Sequence, residues 1–532
     1  EVRRIADGSV AARSPAVDVE ISAALVASLH SPSGQIFDPA NDGLGFAAWN
    51  NRTLTDPPTA LMYQLFGSGV CARGTGETAT TCVLTAPATR QSMSLLRVIS
   101  SGRAFGMAAL SLQLFRGDRL ADGRQLPSDF QPGTPATAAL VRDVQVEQLI
   151  DLYQAARISA ASQASLARAS DGTVSDLLRV LQAHGFVGAS GTDAYTLHVR
   201  EPGVGGTTLL PYALIRRDVS MYWLYVYDPE APGDRTRVVT LDTAANTWDY
   251  SGVYRGDATN GSIVLRRVSA DVALPRTCAF CVSPQLVANS LAQTSDSMAF
   301  LLNGPGAILI SDAAGRTLGV DGQGTVTVNT IPGASVDQID PGPDITLPPV
   351  LYVPAGSVYR VVITATAPTT TTGLVLSVTA PGMIAELENL PLSGTGDSLA
   401  LSVDAAARTI RFSAGAATRS AQKLTLALET PDGTSYSFTT SGSVLPPGTT
   451  LGLAFDVTTK QLSLRDDAGQ NLRYDLVLMR VEPGGVTQTL QRNNLTSGLG
   501  AGATLNLDGW TGQAWPQTSL IPKRMFLACI MR

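Results

Sequence analysis

Reactive side chains are scarce in this chain: 532 residues hold five cysteines and three histidines. Cys71 and Cys82 bracket the loop Cys-Ala-Arg-Gly-Thr-Gly-Glu-Thr-Ala-Thr-Thr-Cys, which a disulfide can close. Cys278-Ala-Phe-Cys281 has the spacing of a redox pair or of half a zinc site, and is a second disulfide candidate. A structural zinc site takes about four Cys or His ligands. His30, His184 and His198 have no spacing that completes one and Cys529 stands apart, so no metal and no cofactor are expected. Asp312 with Asp321, and Asp466 with Asp467, occupy glycine-containing turns where calcium ligands could converge, but surface turns are commonly acidic anyway. A Ser-His-Asp hydrolase is hard to build when no histidine lies in a recognisable catalytic context. Tyr222, Trp223, Tyr225 and Tyr227 alternate as a strand does, which turns one face to the core and favours packing over ligand stacking. The sequons at Asn51, Asn260 and Asn494 have only the minimal three-residue form.

The elements that would position these residues change character along the chain. Helices are expected after Thr55-Asp-Pro-Pro, carrying Ala60, Leu61, Met62, Leu65 and Phe66 to a stop at Gly67, and over Phe105–Phe115 and Val144–Arg157. Another is expected over Ser175–His184, with Ser175 as cap, Gly185 as exit and Leu177, Leu178 and Leu181 as buried face. From Leu209 the period shifts to two, through Ala213–Arg216, Tyr222–Tyr227 and Arg237–Leu241. Ala307–Ile310 and Thr325–Val328 read as a small β unit, and the proline-rich stretch from Asp340 as a linker. Beyond Val350 nearly every segment alternates, including Tyr359–Thr366, Leu399–Val403, Thr409–Phe412, Leu424–Leu428, Tyr436–Thr439, Leu451–Val457, Leu462–Leu464 and Tyr474–Val481. That spacing predicts β-sandwich packing of the immunoglobulin-like kind, in one or two units. No strong internal repeat stands out, and Thr369–Thr372 is the one low-complexity run.

The segment Ser101-Gly-Arg-Ala-Phe-Gly-Met-Ala-Ala-Leu resembles the start of the central helix in a group of bacterial papain-like cysteine peptidase domains. In that pattern the nucleophile opens the helix, where free amides and the helix dipole favour a thiolate. Gly45-Phe-Ala-Ala-Trp-Asn-Asn, Leu65-Phe-Gly and the Cys71/Cys82 pair are similar to the family's lead-in. Leu210-Pro-Tyr-Ala-Leu, Tyr225-Val-Tyr-Asp-Pro-Glu and Asn246-Thr-Trp-Asp-Tyr are similar to its later strands, while Gly315-Arg-Thr-Leu-Gly and Ile331-Pro-Gly-Ala resemble an accompanying β module. The resemblance covers roughly residues 40–335. It implies that the cysteine position holds Ala104, the histidine position holds Thr207 and the orienting acid is Asp228. Without thiol and imidazole the aspartate has nothing to activate, so no catalysis is expected and Asp228 is read as a turn residue accepting backbone amides. His198, nine residues before Thr207, would reach that position only through a shifted loop.

The fold class expected is therefore an α+β papain-like domain followed by all-β, Ig-like sandwich domains: 1–35 an N-terminal extension with an exchangeable strand from Val17, 36–275 the pseudo-peptidase, 276–340 the β module, 341–349 the linker and 350–532 the sandwich region. With 38 basic and 44 acidic residues and no basic run, the chain offers phosphate backbones no cationic stripe, so nucleic acid is not an expected partner. No apolar run reaches the ~18 residues that span a bilayer, so an integral membrane protein is not expected. A start at Glu1 fits removal of a secretory signal, and the chain is expected at the cell surface or outside the cell. The function expected is a non-catalytic structural or adhesive surface protein, self-associating, even filament-forming, or engaging surface partners. The alternative is a binding module that holds a peptide or glycan in the degenerate cleft.

Overall fold

The computed structural model describes residues 24–50, 58–159, 168–170, 172–187, 193–257, 259–282, 297–304, 306–339, 349–366, 374–390, 392, 394–420, 422–467, 472–496, 503–510 and 516–520. Its first region packs five longer helices, α1 (Pro58–Phe66), α2 (Ala86–Ile99), α3 (Ala104–Arg116), α4 (Val144–Ile158) and α5 (Val174–His184), against an antiparallel sheet. The strands are β1 (Ala24–Ser28), β2 (Tyr195–Glu201), β3 (Gly205–Arg216), β4 (Met221–Tyr227), β5 (Val238–Asp242), β6 (Thr247–Tyr250), β7 (Tyr254–Gly256) and β8 (Ser262–Arg267). They run in the order β7-β6-β5-β4-β3-β2-β8, with β1 beside β3. Local chemistry sets the helix ends. Asp143 accepts the amides of Gln145 and Val146 at the start of α4, and Gly117 and Gly185, at φ 67° and 63°, end α3 and α5 in a conformation that costs glycine least. The cap of α5 is Thr173, not the expected Ser175: its hydroxyl accepts the Asp176 amide, which places the first turn before Ser175.

The second region is two stacked antiparallel sheets that share one apolar core, drawing Phe300, Leu376, Leu426 and Leu478 from one and Ile308, Leu401, Leu453 and Leu505 from the other. The nine-stranded sheet contains β9 (Ser297–Asn303), β13 (Ser335–Asp337), β14 (Val350–Pro354), β16 (Leu374–Ala380), β17 (Met383–Leu390), β20 (Lys423–Glu429), β21 (Ser435–Ser441), β24 (Arg473–Val481) and β25 (Thr487–Thr496). The ten-stranded sheet contains β10 (Gly306–Ser311), β11 (Thr317–Val320), β12 (Val326–Asn329), β15 (Tyr359–Ala365), β18 (Ser398–Asp404), β19 (Thr409–Ser413), β22 (Thr450–Asp456), β23 (Gln461–Asp466), β26 (Ala503–Asn506) and β27 (Gln517–Leu520). Residues 297–337, expected as a separate module, are woven into these sheets: β9 pairs with β14 and β16, and β10 with β15. Strand number and hairpin-by-hairpin order both depart from the immunoglobulin arrangement. Residues 340–348 of the expected linker, Thr369–Thr372, Asn51 and Cys529 lie outside the described residues.

From β16 onward the chain lays down hairpins alternately in the two sheets, giving three successive four-strand units, β16–β19, β20–β23 and β24–β27. Their turns carry a signature that corrects the expectation of no internal repeat. The first hairpin of each unit turns at Pro381-Gly382, Pro431-Asp432-Gly433 and Pro483-Gly484-Gly485. In the second hairpin of the first two units an aspartate precedes a left-handed residue, Asp404 before Arg408 and Asp456 before Lys460, both at φ 50°. Asp404 and Asp456 accept amides of their own turns, and Asp404 and Asp456 are separated by the same interval as Pro431 and Pro483.

Candidate functional site

Helix α3 places Ala104 at its first position, as a nucleophile would be placed, but that position is sealed. Ala104 is fully buried, as are its neighbours Arg103 and Phe105, at 2% and 1% exposure. The amide of Gly106, one of the free donors a helix N-terminus offers an anion, already donates to Gln154 Oε1 at 3.0 Å. Arg103 donates through Nε to Asp151 Oδ1 at 2.5 Å and through Nη1 to the Trp49 carbonyl at 3.2 Å, while its guanidinium lies over the Trp49 ring at 4.7 Å. Arg142 lies 4.0 Å from the same ring. Trp49 therefore holds both Arg103, which precedes the helix, and Arg142.

The other two positions do not converge on it. Thr207 lies opposite Val199 and His198 opposite Thr208, so alternation turns Thr207 and His198 to opposite faces of the β2–β3 pair. His198, rather than Thr207, meets the first turn of α3, its ring stacked on Phe105 with centroids 6.2 Å apart. Its Nδ1 lies 3.2 Å from Thr208 Oγ1 and its Nε2 3.4 Å from Thr196 Oγ1. Thr207 is 2% exposed and its hydroxyl has no hydrogen-bond partner among the described residues. Asp228 accepts the Glu230 amide at 2.9 Å and a short hydrogen bond from the Tyr250 hydroxyl. Burial first, then the Asp228 charge, holds the Tyr250 phenol protonated far above its usual range. The aspartate thus serves a turn and a buried tyrosine.

The richest cluster of charge lies elsewhere, where α4 and β8 meet β13. Asp337 binds Arg157 Nη1 at 2.5 Å and Arg266 Nη1 at 3.1 Å, and Asp271 receives Arg266 Nη2 and Nε at 2.7 and 2.8 Å. All four side chains are at most 4% exposed. Burial raises the Asp337 carboxyl, but Arg157 and Arg266 outweigh it and hold the group at about 2; Asp271 is lowered by the same two cations against the same penalty. Burial brings Arg276, whose Nη1 donates to the Ala270 carbonyl, down to about 10. A cavity of about 320 Å³ opens beside this cluster, bordered by Arg157, Arg168, His198, Ser262, Arg266 and Asp337. Sequence reasoning missed the cluster because its members come from strands and helices far apart in the chain.

Cys71–Cys82 and Cys278–Cys281 are both at bonding distance, with Cα separations of 5.2 and 5.4 Å, which fits an oxidising environment. Among the described residues no group of three or more His, Cys, Asp or Glu is placed to hold a metal. Asp312 accepts two amides of its own turn and the Arg316 guanidinium, Asp321 accepts the amides of Gln323 and Thr325, and Asp467 accepts the Thr450 amide. Among the described residues no single helix is long and apolar enough to cross a membrane. Tyr222 and Tyr227 are buried, Trp223 and Tyr225 half-buried, and Arg217 lies 3.9 Å from the Trp223 ring. Comparison with protein families, characterised proteins and solved structures finds no match to this chain.

Proposed function

We propose that this chain is a non-catalytic structural protein of the cell exterior, self-associating, in which an inactive papain-like scaffold carries a long double β-sheet. The observation that carries this reading is the sealed helix start: Ala104 is fully buried and Gln154 occupies the Gly106 amide where a thiolate and its oxyanion partner would need room. The same burial works against a peptide or glycan held at that position. Two disulfides and the long stacked sheets support the structural role. Of the expected exchangeable strand, Ala24–Ser28 pairs with β3 of its own chain, Ala24 opposite Arg216 and Ser28 opposite Ala213, while residues 1–23 lie outside the described residues.

The test has two arms. Ala104→Cys is expected to show no thiol-dependent hydrolysis of peptide substrates; measurable turnover abolished by iodoacetamide would overturn the non-catalytic reading. Sedimentation and electron microscopy of the full chain against a chain lacking residues 1–30 then locate self-association: loss of assemblies on trimming assigns it to the N-terminal segment, and unchanged assemblies assign it elsewhere in the chain.

A further inference from the structure

Two sheet edges in the double-sheet region are short: β12 and β13 have four and three residues, as edges usually do when a protein avoids pairing with its neighbours, and a third, β27, is described over Gln517–Leu520. β13 is also held by the first region, through Asp337. The remaining edge, β25, is different: ten residues, Thr-Gln-Thr-Leu-Gln-Arg-Asn-Asn-Leu-Thr, with no proline, one formal charge and exposure on both faces along its length. Its one ladder partner among the described residues is β24, in register from Leu476 opposite Arg492 to Val481 opposite Thr487. The irregularity at Tyr474/Leu476 and the left-handed Asn494 fall beyond that stretch, so Thr487–Arg492 forms a regular edge.

We infer that this edge is a self-association surface, and that its occupant is β25 of a second copy of this chain, added antiparallel about a twofold axis perpendicular to the sheet. The inference rests on the structural reading above and deepens it by naming the contact. An antiparallel twofold pairing of this kind keeps like faces together, so opposed residues must share parity. The register centred on Leu490 satisfies that rule and is self-complementary. Leu490 meets Leu490, Thr489 meets Gln491, and Gln488 meets Arg492, twice. No like charges face each other, and Gln488 can accept from the guanidinium. Leu490 lies opposite Leu478 of the core and packs against that core while remaining half-exposed, so the pairing buries apolar surface that the single chain leaves partly wet. Arg492 lies on the same side of the strand as Leu490, where a charge discourages pairing with an arbitrary strand; in this register it faces Gln488 and not another charge.

Sedimentation equilibrium of the full chain at micromolar concentrations tests this. The wild type is expected to form a reversible dimer. Gln488→Arg sets two like-charged pairs across the twofold and should weaken the dimer about tenfold or more, whereas Gln488→Glu sets two opposite-charged pairs and should tighten it. Leu490→Lys should abolish it, with circular dichroism of all three variants unchanged. A monomeric wild type at these concentrations, or a dimer indifferent to the sign of the charge at 488, overturns the inference. Either result leaves the non-catalytic reading to its own test, because hydrolysis by Ala104→Cys is independent of this edge.

Discussion

Thr207 and Asp337 are both buried polar residues, and their surroundings give them opposite energetic roles. The Thr207 hydroxyl is enclosed without a hydrogen-bond partner among the described residues, so it bears a desolvation cost that nothing in its surroundings offsets. Thr207→Val keeps the shape and removes the orphan oxygen; unfolding in urea should show stability unchanged or raised by up to about 1 kcal/mol, and a clear loss would mean that the hydroxyl has a partner in solution. Asp337 is satisfied by two arginines, and removing its charge strands them. Asp337→Asn should cost about 3–5 kcal/mol at neutral pH. The pH dependence follows from the sign of the shift. The folded carboxyl titrates at about 2 against an ordinary 3.8, so its stabilisation is complete above 3.8 and is lost as pH falls through about 2. That lowering is on the order of 2 kcal/mol, and the acid limb of stability between about pH 4 and pH 2 should be shallower in Asp337→Asn than in the wild type.

Helix α2 shows what the sequence conceals at the level of elements. No helix was expected over Ala86–Ile99. In the fold this helix is docked: the Ala86 amide donates to Ser435 Oγ, Arg90 Nη2 to Thr439 Oγ1 at 3.0 Å and Arg97 Nη1 to Glu386 Oε1 at 3.0 Å, all on the nine-stranded sheet. Glu386 is fully buried, and burial raises its carboxyl above the ordinary 4.5 despite Arg97 and Arg90. Desolvation wins because both arginines remain partly in water, at 25% and 19% exposure, where their attraction is screened. A raised folded value means that this group's stabilisation is present below pH 4.5 and lost as pH rises through the folded value. Glu386→Gln should therefore match the wild type near pH 4 and equal or exceed it near pH 7, and denaturation at the two pH values checks the difference. The strands, by contrast, were legible. β18 to β24 lie within a residue or two of their alternating segments because each turns one face to the shared core. The repeat was not, because its signature is turn geometry at Pro431, Pro483, Asp404 and Asp456 while the apolar positions merely alternate. Of the candidate site, the types at 104, 207 and 228 were legible, but the hydrogen bonds of Arg103 and Gln154 and the burial of Thr207 on the sheet face opposite His198 arise only from packing.

There are two apolar cores, and the first takes in Val350, Tyr352 and Ile384 of the nine-stranded sheet, so the two regions share a long seam that decides how the whole molecule unfolds. Helix α2 lies along the nine-stranded sheet, Asp337 of β13 completes an ion cluster rooted in α4 and β8, and the Cys71–Cys82 loop reaches the repeat hairpins, with Arg73 donating to the Pro431 carbonyl and accepting from the Gly484 amide at 2.6 Å. Unfolding either region forfeits these contacts and uncovers the apolar and charged surface that they hold against the other, so opening one region alone is costly. The chain is accordingly expected to unfold in a single transition, with tryptophan emission, to which Trp49, Trp223 and Trp248 of the first region contribute three of the five tryptophans, tracking the far-ultraviolet strand signal that comes mainly from the second. Cys71→Ser/Cys82→Ser tests the coupling through the loop that crosses the seam. Opening a disulfide whose cysteines are 11 residues apart costs about 3 kcal/mol. If the regions are coupled as the seam implies, both signals shift to lower temperature together. If only the tryptophan signal moves, the two cores stand independently and the seam is a contact rather than a joint.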